Sequence, residues 1–295
     1  NIMPVVQDKG NWRSQLNSKI ADFIANVIGQ RMNYTIRYYS NRGHLPNFKH
    51  PKDLSERILS AMLSKDFLKY ADYADKVKVR EYVKAKGLET ILLKQFGAWE
   101  NAKQIPFDKL PNRFILKANN GSGGHFICTD KSKINIPAVI SEMNATLKAA
   151  SHLRNTEPHY CAIKPMILAE ELMGDGTVLP TDYKFHCIKG KVADVFVVCE
   201  RETGAKYCTL DTNWKPLPYT KPEFMPSVIP EKPERLSEMV KLAEKLSSDF
   251  EFVRVDLYDF NGKIYFGELT FSPWGGIMNS YSNEGVEIMG RKFEE

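Results

Sequence analysis

The chain has 295 residues, enough for one large domain or two to three smaller ones with an ample core. Its 43% apolar and 26% charged residues are typical of an ordinary globular protein, and no apolar run approaches membrane-spanning length. The net charge of +5 is modest and the basic residues do not cluster, which favours a small anionic ligand and argues against nucleic acid.

The five cysteines form no CxxC pair, and their number is odd. Most lie in strand-like segments, which predicts reduced, buried thiols in a cytosolic protein. The sequence shows no signal peptide, and a cytoplasmic location is expected. Because the chain begins with Asn1 rather than Met, we expect that an upstream piece has been removed.

The first quarter of the chain is predicted to be helical and carries no nucleotide fingerprint. An apolar stripe predicts a helix over residues 14–32. Asp53, with Glu56 three residues later, predicts a capping box for a second helix. This region is either a packing subdomain or a region that recognises an acceptor substrate.

A further helix is predicted within residues 73–83, with Asp75 as its N-cap residue. Lys76 would then lie in the first helical turn, where the helix dipole disfavours a cation. Its side chain either extends into solvent or reaches a ligand phosphate, and the helix pattern favours neither. A strand is predicted next, at residues 91–93.

A glycine-rich loop joins two predicted strands, the apolar residues 114–116 and 126–128. Residues 119–124 have little side chain to keep a ligand at a distance, so backbone N–H groups could point at an anion. Lys117 supplies a charge at the root of this loop, which suits a polyphosphate. The alternative is an ordinary hairpin whose glycines only permit positive φ, since neither GxxxxGK[ST] nor GxGxxG is present.

Two more predicted strands carry polar side chains. The strand within residues 167–174 ends in Glu170 and Glu171, which should face opposite ways, so that one can enter a cleft. A hairpin follows around Lys189-Gly190. Three polar side chains on one face of its first strand form either part of a site or a wet sheet surface: Asp182, Lys184 and His186.

The last informative stretch is a hairpin with its turn at Asn261-Gly262. A two-residue loop would place Asp256 opposite Gly267, with Asp256 and Glu268 on opposite sides of the sheet. A three-residue loop would instead bring four polar side chains to one face: Arg254, Asp256, Glu268 and Thr270. Two carboxylates in so apolar a stretch suit Mg²⁺, with phosphate oxygens completing its ligands. The alternative is an ion pair between Arg254 and a carboxylate.

The order of these pieces resembles the ATP-grasp superfamily, and within it the TupA-like ATP-grasp family of bacterial surface-polysaccharide biosynthesis. The resembling stretches cover most of residues 50–275; they are residues 73–83, 110–123, 167–171, 182–185, 252–258 and 265–273. The resemblance implies an α+β fold in which two lobes hold ATP. The regions it implies are a helical N-terminal region 1–72, a lobe with the lid hairpin 73–164, and a lobe with the metal-binding hairpin 165–295.

The resemblance also implies roles for single residues. Lys76 and Lys117 would hold the ATP phosphates, and Glu170 would meet the adenine amino group. The implied nucleotide-binding set is Lys76, Lys117, Asn120, Gly121, Ser122, Gly123, Glu170, Glu171, Leu172 and Asp182. The implied catalytic set is Arg201, Lys184 and Arg254, and the implied Mg²⁺ ligands are Asp256, Glu268 and Thr270. Thr270 stands where members of the superfamily often have Asn, which is a stronger oxygen ligand.

The function implied is an ATP- and Mg²⁺-dependent carboxylate–amine ligase that forms an amide through an acylphosphate. The expected substrates are an amino acid or amine and a uronic acid or related anionic sugar unit of a capsule or O-antigen precursor. One alternative is a sugar phosphotransferase or transferase on the same fold. Another is a scaffold that binds ATP without turning it over, an alternative that Thr270 keeps open.

Overall fold

The computed structural model describes residues 29–121, 124–149, 156–174, 180–199 and 205–295. Most of the predicted helix over residues 14–32 lies outside these ranges. The helices are α1 Gln30–Arg42, α2 Leu54–Met62, α3 Ala71–Ala74, α4 Val79–Ala85, α5 Ile136–Ala149, α6 Leu236–Ser247 and α7 Asn283–Arg291. The strands are β1 Gln95–Trp99, β2 Phe114–Ala118, β3 His125–Cys128, β4 Ile167–Glu170, β5 Asp182–Ile188, β6 Lys191–Cys199, β7 Lys206–Leu210, β8 Phe252–Phe260 and β9 Lys263–Thr270. Within the described ranges, no helix combines the length and hydropathy needed to cross a lipid bilayer.

The capping box predicted for α2 is confirmed. The Asp53 carboxylate accepts a hydrogen bond from the Glu56 backbone N–H at 2.8 Å. The Glu56 carboxylate in turn accepts from the backbone N–H groups of Lys52 and Asn47, each at 2.7 Å. The Glu56 carboxylate also accepts the Asp53 N–H at 3.4 Å, which completes the capping box, and its bonds to Lys52 and Asn47 fix the chain that leads into α2.

The predicted start of the helix near Asp75 is wrong, because the chain breaks there. Asp75 has an extended conformation with ψ 113 and closes α3 by donating its N–H to the Ala71 carbonyl. Its carboxylate accepts the Val77 N–H at 2.9 Å, and regular helix resumes only at Val79. Lys76 therefore lies in a turn. The predicted strand at 91–93 is also wrong, since a 3₁₀ turn occupies Glu89–Ile91 and β1 begins later.

The first sheet has four antiparallel strands in the order β1-β4-β2-β3. Apolar side chains on β2 and β4 pack with α5 into one core cluster. Its fully buried members include Phe114, Leu116, Met143, Ile167 and Ala169. Since β4 lies between β1 and β2, its C-terminal residue Glu170 is placed beside the strand that carries Lys117.

The second sheet has five antiparallel strands in the order β7-β6-β5-β8-β9. Helix α6 packs on it through side chains spaced on one helical face: Leu236, Met239, Ala243 and Leu246. The Cys187 thiol lies 3.9 Å from the Ala243 carbonyl, and Cys187 pairs with Val253. Side chains alternate along a strand, so Arg254 and Asp256 face away from α6.

The chain divides into two compact units. The first unit takes in the described residues of Leu68–Tyr82 and Leu92–Leu179, together with those before Tyr34. The second unit comprises Tyr34–Phe67, Val83–Ile91 and the described residues of Pro180–Glu295. These units differ from the predicted regions in several places, including the assignment of Val83–Ile91 to the second unit. Strand β4 joins the first sheet, although the predicted boundary before residue 165 placed it in the second lobe, and α2 belongs with the second unit.

Candidate functional site

The first unit brings Lys117 and Glu170 together. Glu170 pairs with Ile115 across β4 and β2, so it lies diagonal to Lys117, and their charged groups are 3.1 Å apart. The other oxygen of Glu170 accepts from Arg80 at 3.0 Å, while Arg80 also donates to the Leu93 carbonyl at 2.6 Å. Glu170 is buried. Its carboxylate therefore already has two cationic donors, and an adenine amino group would add an uncharged third donor.

Lys76 is the second predicted phosphate-binding lysine, and its ammonium donates to the Gly121 carbonyl at 2.6 Å. Its backbone N–H donates to the Asn119 carbonyl at 3.2 Å. The turn at Lys76 and the glycine-rich loop are thus joined, and the loop follows directly after the strand of Lys117. The structure therefore brings both lysines to the same loop, as the resemblance implies.

Asn119 holds this arrangement together, a role that sequence reasoning missed. Its side-chain amide donates to the Asp75 carboxylate at 2.8 Å and to the Lys164 carbonyl at 3.0 Å. Its side-chain oxygen accepts the Met166 N–H at 2.7 Å. One fully buried side chain thus links the turn before α4, the loop, and the segment entering β4.

The loop itself is partly described. Asn120 is buried and its side-chain oxygen has no hydrogen-bond partner in the described part of the chain. Gly124 has φ +62, and a Cβ there would clash with the Thr146 side chain, so glycine is required. Burial, and then the charge of Lys117, hold the pKa of His125 below its usual value, so His125 adds no positive charge at neutral pH. Ser122 and Gly123 lie outside the described residues.

The residues predicted to contact adenine follow β4. The Glu171 backbone N–H donates to the Lys94 carbonyl at 2.9 Å, and the Glu171 side chain is exposed. Leu172 is buried. Glu170 and Glu171 therefore differ in exposure, as the alternation along a strand predicts. Arg201, predicted to contact the transferring phosphate, lies outside the described residues.

The second unit settles the register of the β8–β9 hairpin. The turn has two residues, Asn261 with φ 50 and Gly262 with φ 72. A bulge at Gly267 then shifts the pairing so that Asp256 lies directly opposite Glu268. The prediction that both carboxylates share one face is confirmed. Of the two alternatives the two-residue loop is present, but its expected consequence, carboxylates on opposite sides of the sheet, is wrong because the bulge inserts one extra residue.

Arg254 bridges the two carboxylates. Its guanidinium binds both oxygens of Asp256, at 2.6 and 2.7 Å, and one oxygen of Glu268 at 2.9 Å. Lys184, opposite Asp256 on β5, donates to Asp256 at 2.7 Å and forms an ion pair with Asp182. The ion pair that was the alternative to a metal site is therefore present.

Burial alone would raise the pKa of Asp256, but the charges of Arg254 and Lys184 outweigh burial and hold that pKa below its ordinary value. Asp256 is therefore a carboxylate at neutral pH, although only 3% of it is exposed. A buried carboxylate of this kind stays ionised only with cations beside it.

The donor set of this cluster fits a hard cation. Asp256 and Glu268 are directly opposed, and the Thr270 hydroxyl lies 2.9 Å from a Glu268 oxygen. Among the residues that the structure describes, three carboxylates of this cluster, counting Asp182, outnumber its two cationic side chains. Among the described residues no group of three His, Cys, Asp or Glu side chains is placed to hold a metal. Mg²⁺ would therefore need oxygens from a ligand as well, as it commonly does with phosphates.

The fold resembles that of solved ligases. An L-amino acid ligase from Bacillus licheniformis is 11% identical, with 92% of this chain and 63% of that chain covered and a TM-score of 0.51. D-alanine–D-alanine ligase from Bacillus anthracis is 15% identical, with 82% and 71% covered and a TM-score of 0.43. The first likeness shows the fold and confirms the predicted α+β class. This chain spans less than two thirds of the L-amino acid ligase. No curated protein matches the sequence.

A family model described as TupA-like ATP-grasp matches residues 54–294, which is most of the chain. The match includes the glycine-rich loop, the strand ending in Glu170 and the β8–β9 hairpin. The predicted recognition and the predicted enzyme class are thereby confirmed. The chain belongs to the TupA-like ATP-grasp family and is an ATP-grasp ligase.

Proposed function

We propose that the enzyme joins a carboxylate to an amine with ATP and Mg²⁺. The observation that carries the proposal is the opposite charge balance of two clusters. The first-unit cluster, Lys76, Arg80, Lys117 and Glu170, has more cations than carboxylates. The second-unit cluster, Asp182, Lys184, Arg254, Asp256 and Glu268, has more carboxylates than cations. A polyphosphate and a divalent cation need these two kinds of surface.

The first-unit cluster would bind the nucleotide. Lys76 and Lys117 supply charge for the phosphates, and the loop from Asn120 supplies backbone N–H groups. Glu170 and the backbone after it would contact the adenine. The buried oxygen of Asn120 that has no described partner is consistent with a loop whose polar groups are completed by a ligand.

The second-unit cluster would hold Mg²⁺ through Asp256 and Glu268, with the Thr270 hydroxyl beside them. When bound, the ion would neutralise charge on the phosphates. Arg254 and Lys184 would then face the transferring phosphoryl group, to which both can donate hydrogen bonds. Asp182 keeps Lys184 oriented through their ion pair.

The chemistry would proceed in two steps. A substrate carboxylate oxygen attacks the γ-phosphorus of ATP, the bond to the bridging oxygen breaks, and ADP leaves with that electron pair. An amine then attacks the carbon of the resulting acylphosphate, the C–O bond breaks, and inorganic phosphate leaves as the amine loses a proton. The protein's task is positioning and charge neutralisation, without a covalent nucleophile.

The substrates proposed are an amino acid and a uronic acid unit of a bacterial surface polysaccharide, joined in the cytoplasm. The family resemblance supports this choice, and a net charge of +5 suits an acidic sugar. The B. licheniformis ligase of similar fold is named for amino acids, which supports the amino acid as one partner.

The test is ADP and phosphate release by the purified protein with ATP and Mg²⁺, across pairs of amino acids and uronic acids. We expect ADP only when a carboxylate and an amine are both present, with an amide product visible by mass spectrometry. ADP without an amide, accompanied by a phosphorylated sugar, would replace the proposal with the phosphotransferase alternative. ATP binding without ADP for any pair, including polymeric acceptors, would favour the scaffold alternative.

A further inference from the structure

A second polar row crosses the five-stranded sheet beside the row that holds the proposed metal ligands. The strand pairing places Asp194 of β6 opposite His186 of β5, His186 opposite Arg254 of β8, and Arg254 opposite Thr270 of β9. These side chains lie on the face of the sheet opposite α6. The row therefore connects the buried interior of the sheet to the arginine that binds Asp256 and Glu268.

His186, Asp194 and Tyr281, here called the buried triad, are each at most 1% exposed. One Asp194 oxygen accepts from the Tyr281 hydroxyl at 2.8 Å, and the other lies 2.7 Å from His186 Nδ1. Burial, and then the charge of Asp194, raise the pKa of the Tyr281 phenol well above its usual value, so Tyr281 remains a donor. Asp194 is thus supplied with one donor on each oxygen.

This geometry fixes the histidine tautomer. A carboxylate only accepts hydrogen bonds, so Nδ1 of His186 must carry the proton that it shares with Asp194. Nε2 has no hydrogen-bond partner among the described residues. A second proton there would leave a buried N–H without a partner among the described residues. Nε2 is therefore a bare acceptor inside the protein.

Arg254, in turn, needs an acceptor when the site is loaded. Its guanidinium donates to both Asp256 oxygens and to one Glu268 oxygen. If those oxygens turn to a cation, the released N–H groups that do not donate to the phosphoryl group must find another acceptor, because buried donors left without partners are costly. Directly opposed residues on neighbouring antiparallel strands have Cβ atoms about 4.5–5.5 Å apart. His186 is thus within reach of the long Arg254 side chain.

We propose that His186 Nε2 accepts an N–H group of Arg254 when Asp256 and Glu268 bind Mg²⁺. The buried triad is then a positioning network: Tyr281 and Asp194 fix the tautomer and the orientation of His186, and His186 holds Arg254 after it leaves the carboxylates. The inference rests on the proposed function, because it takes Asp256 and Glu268 as the metal ligands.

The direct test is nitrogen NMR of the whole protein with ¹⁵N-labelled histidine, with the His186 signals identified by their loss in His186→Asn. In the metal-free protein we expect a protonated Nδ1 and an unprotonated Nε2. Adding Mg²⁺ with ADP should move the Nε2 resonance towards that of a hydrogen-bonded nitrogen and leave Nδ1 nearly unchanged. A protonated Nε2 without metal, or an Nε2 that does not move at saturation, would overturn the inference.

Calorimetry on the same sample separates the two proposals. If Mg²⁺ with ADP does not bind at all, the proposed function fails, and this inference fails with it. If it binds while Nε2 stays unchanged, the inference alone fails. The main comparison, without and with Mg²⁺ and ADP, is made on unaltered protein, and the variant serves only to assign the His186 signals.

Kinetics of matched variants give an independent readout. His186→Asn keeps a donor for Asp194 and removes the acceptor, so kcat should fall and the Mg²⁺ concentration for half activation should rise, each about tenfold. The Kd for ATP without metal should not change. His186→Gln places an amide oxygen near Nε2 and should recover part of the Mg²⁺ affinity. If His186→Gln needed more Mg²⁺ for half activation than His186→Asn, the acceptor role of His186 would be contradicted.

Thr209→Val is the control, because it removes a buried hydroxyl from β7 of the same sheet. Thr209 donates to the Leu217 carbonyl and has no link to Arg254 in the strand pairing. We expect it to lower thermal stability slightly and to leave the Mg²⁺ dependence unchanged. If it raises the Mg²⁺ requirement as much as His186→Asn does, the effect is general loosening of the sheet and the positioning role is wrong.

Discussion

The clusters in the two compact units use the same ion-pairing side chains with opposite balances. In the first unit, two cations bind one buried carboxylate, Glu170, and Lys76 adds a further positive charge nearby. In the second unit, Arg254 and Lys184 are outnumbered by carboxylates. Both clusters contain lysine, arginine and carboxylate side chains, so the residue types alone do not indicate the ligand. The sign of the charge in excess does, because it must be opposite to the charge of the ligand.

Each cluster also keeps its charged groups paired without a ligand. Arg80 and Lys117 occupy both oxygens of Glu170, and Arg254 occupies both oxygens of Asp256. Buried charges left alone would be costly, so these internal pairs keep the side chains ordered. A ligand then completes the first cluster, whereas it must partly displace Arg254 in the second. The two units should therefore respond differently to mutation.

The largest predicted effect comes from removing the excess charge in each unit. Glu268→Ala should lower kcat at least about 100-fold while leaving the Kd for ATP without Mg²⁺ within about twofold. Lys117→Ala should instead weaken metal-free ATP binding, by about 10- to 100-fold, because it removes a charged phosphate contact. Calorimetry and ADP release measure both quantities. If Glu268→Ala weakens metal-free ATP binding as much as Lys117→Ala does, the division of roles is wrong.

The next prediction concerns Asn119, the buried link of the first unit. Asn119→Ala removes three side-chain hydrogen bonds and leaves buried partners unsatisfied, so the free energy of unfolding should fall by about 2–4 kcal/mol. The KM for ATP should also rise, because Asn119 ties Lys76 to the loop. Urea unfolding measures the first effect.

Asn101→Ala is the matched control for this prediction. Asn101 caps a 3₁₀ turn at the surface of the same unit and accepts a hydrogen bond from the Lys103 N–H. Its loss should cost about 1 kcal/mol and leave the KM for ATP unchanged. Equal KM values in the two variants would contradict the positioning of Lys76 by Asn119.

Sequence patterns predicted much of both clusters, because each depends on local periodicity. Alternation along β8 and β9 placed Asp256 and Glu268 on one face only for a three-residue loop, and the glycine-rich loop was placed correctly after Lys117. The pattern could not show how the register arises. Asn261-Gly262 permits a two-residue turn, and only the bulge at Gly267 brings the carboxylates opposite one another.

The residues that sequence reasoning missed are those whose role depends on distant partners. Arg80 binds Glu170 at a sequence separation of 90 residues, and Asn119 forms hydrogen bonds with segments that precede and follow it in the chain. Nothing in their local sequence distinguishes them from surface residues. The weak signal available for Asn119 was its position directly after the apolar strand β2, since a buried polar side chain needs partners.

The bulge gives a third prediction, with a smaller effect. A Cβ on Gly267 would lie 3.0 Å from both the Asp256 carbonyl and a ring carbon of Tyr258. Gly267→Ala should therefore destabilise the protein by about 1–3 kcal/mol and raise the Mg²⁺ requirement, because the crowded bulge shifts Glu268. Gly262→Ala on the same hairpin strains a positive φ in open space and should cost about 1 kcal/mol without changing the Mg²⁺ requirement. Equal Mg²⁺ requirements in both variants would contradict the role of the bulge.

The smallest predicted effect is a pH dependence of stability in the second unit. Burial opposes ionisation of Asp256, but Arg254 and Lys184 outweigh it, so the folded-state pKa lies below the unfolded-state value. The stability that this ionised carboxylate contributes is therefore complete above the unfolded-state pKa, and it is lost as pH falls through the lower folded-state pKa. The difference in unfolding free energy between the wild type and Asp256→Asn should be constant from pH 7 to about 5 and shrink towards pH 3. Urea unfolding at several pH values measures it. A difference that instead grows as the pH falls would mean that Asp256 prefers its protonated form in the folded protein, and the cluster could not then present an ionised pair to a metal.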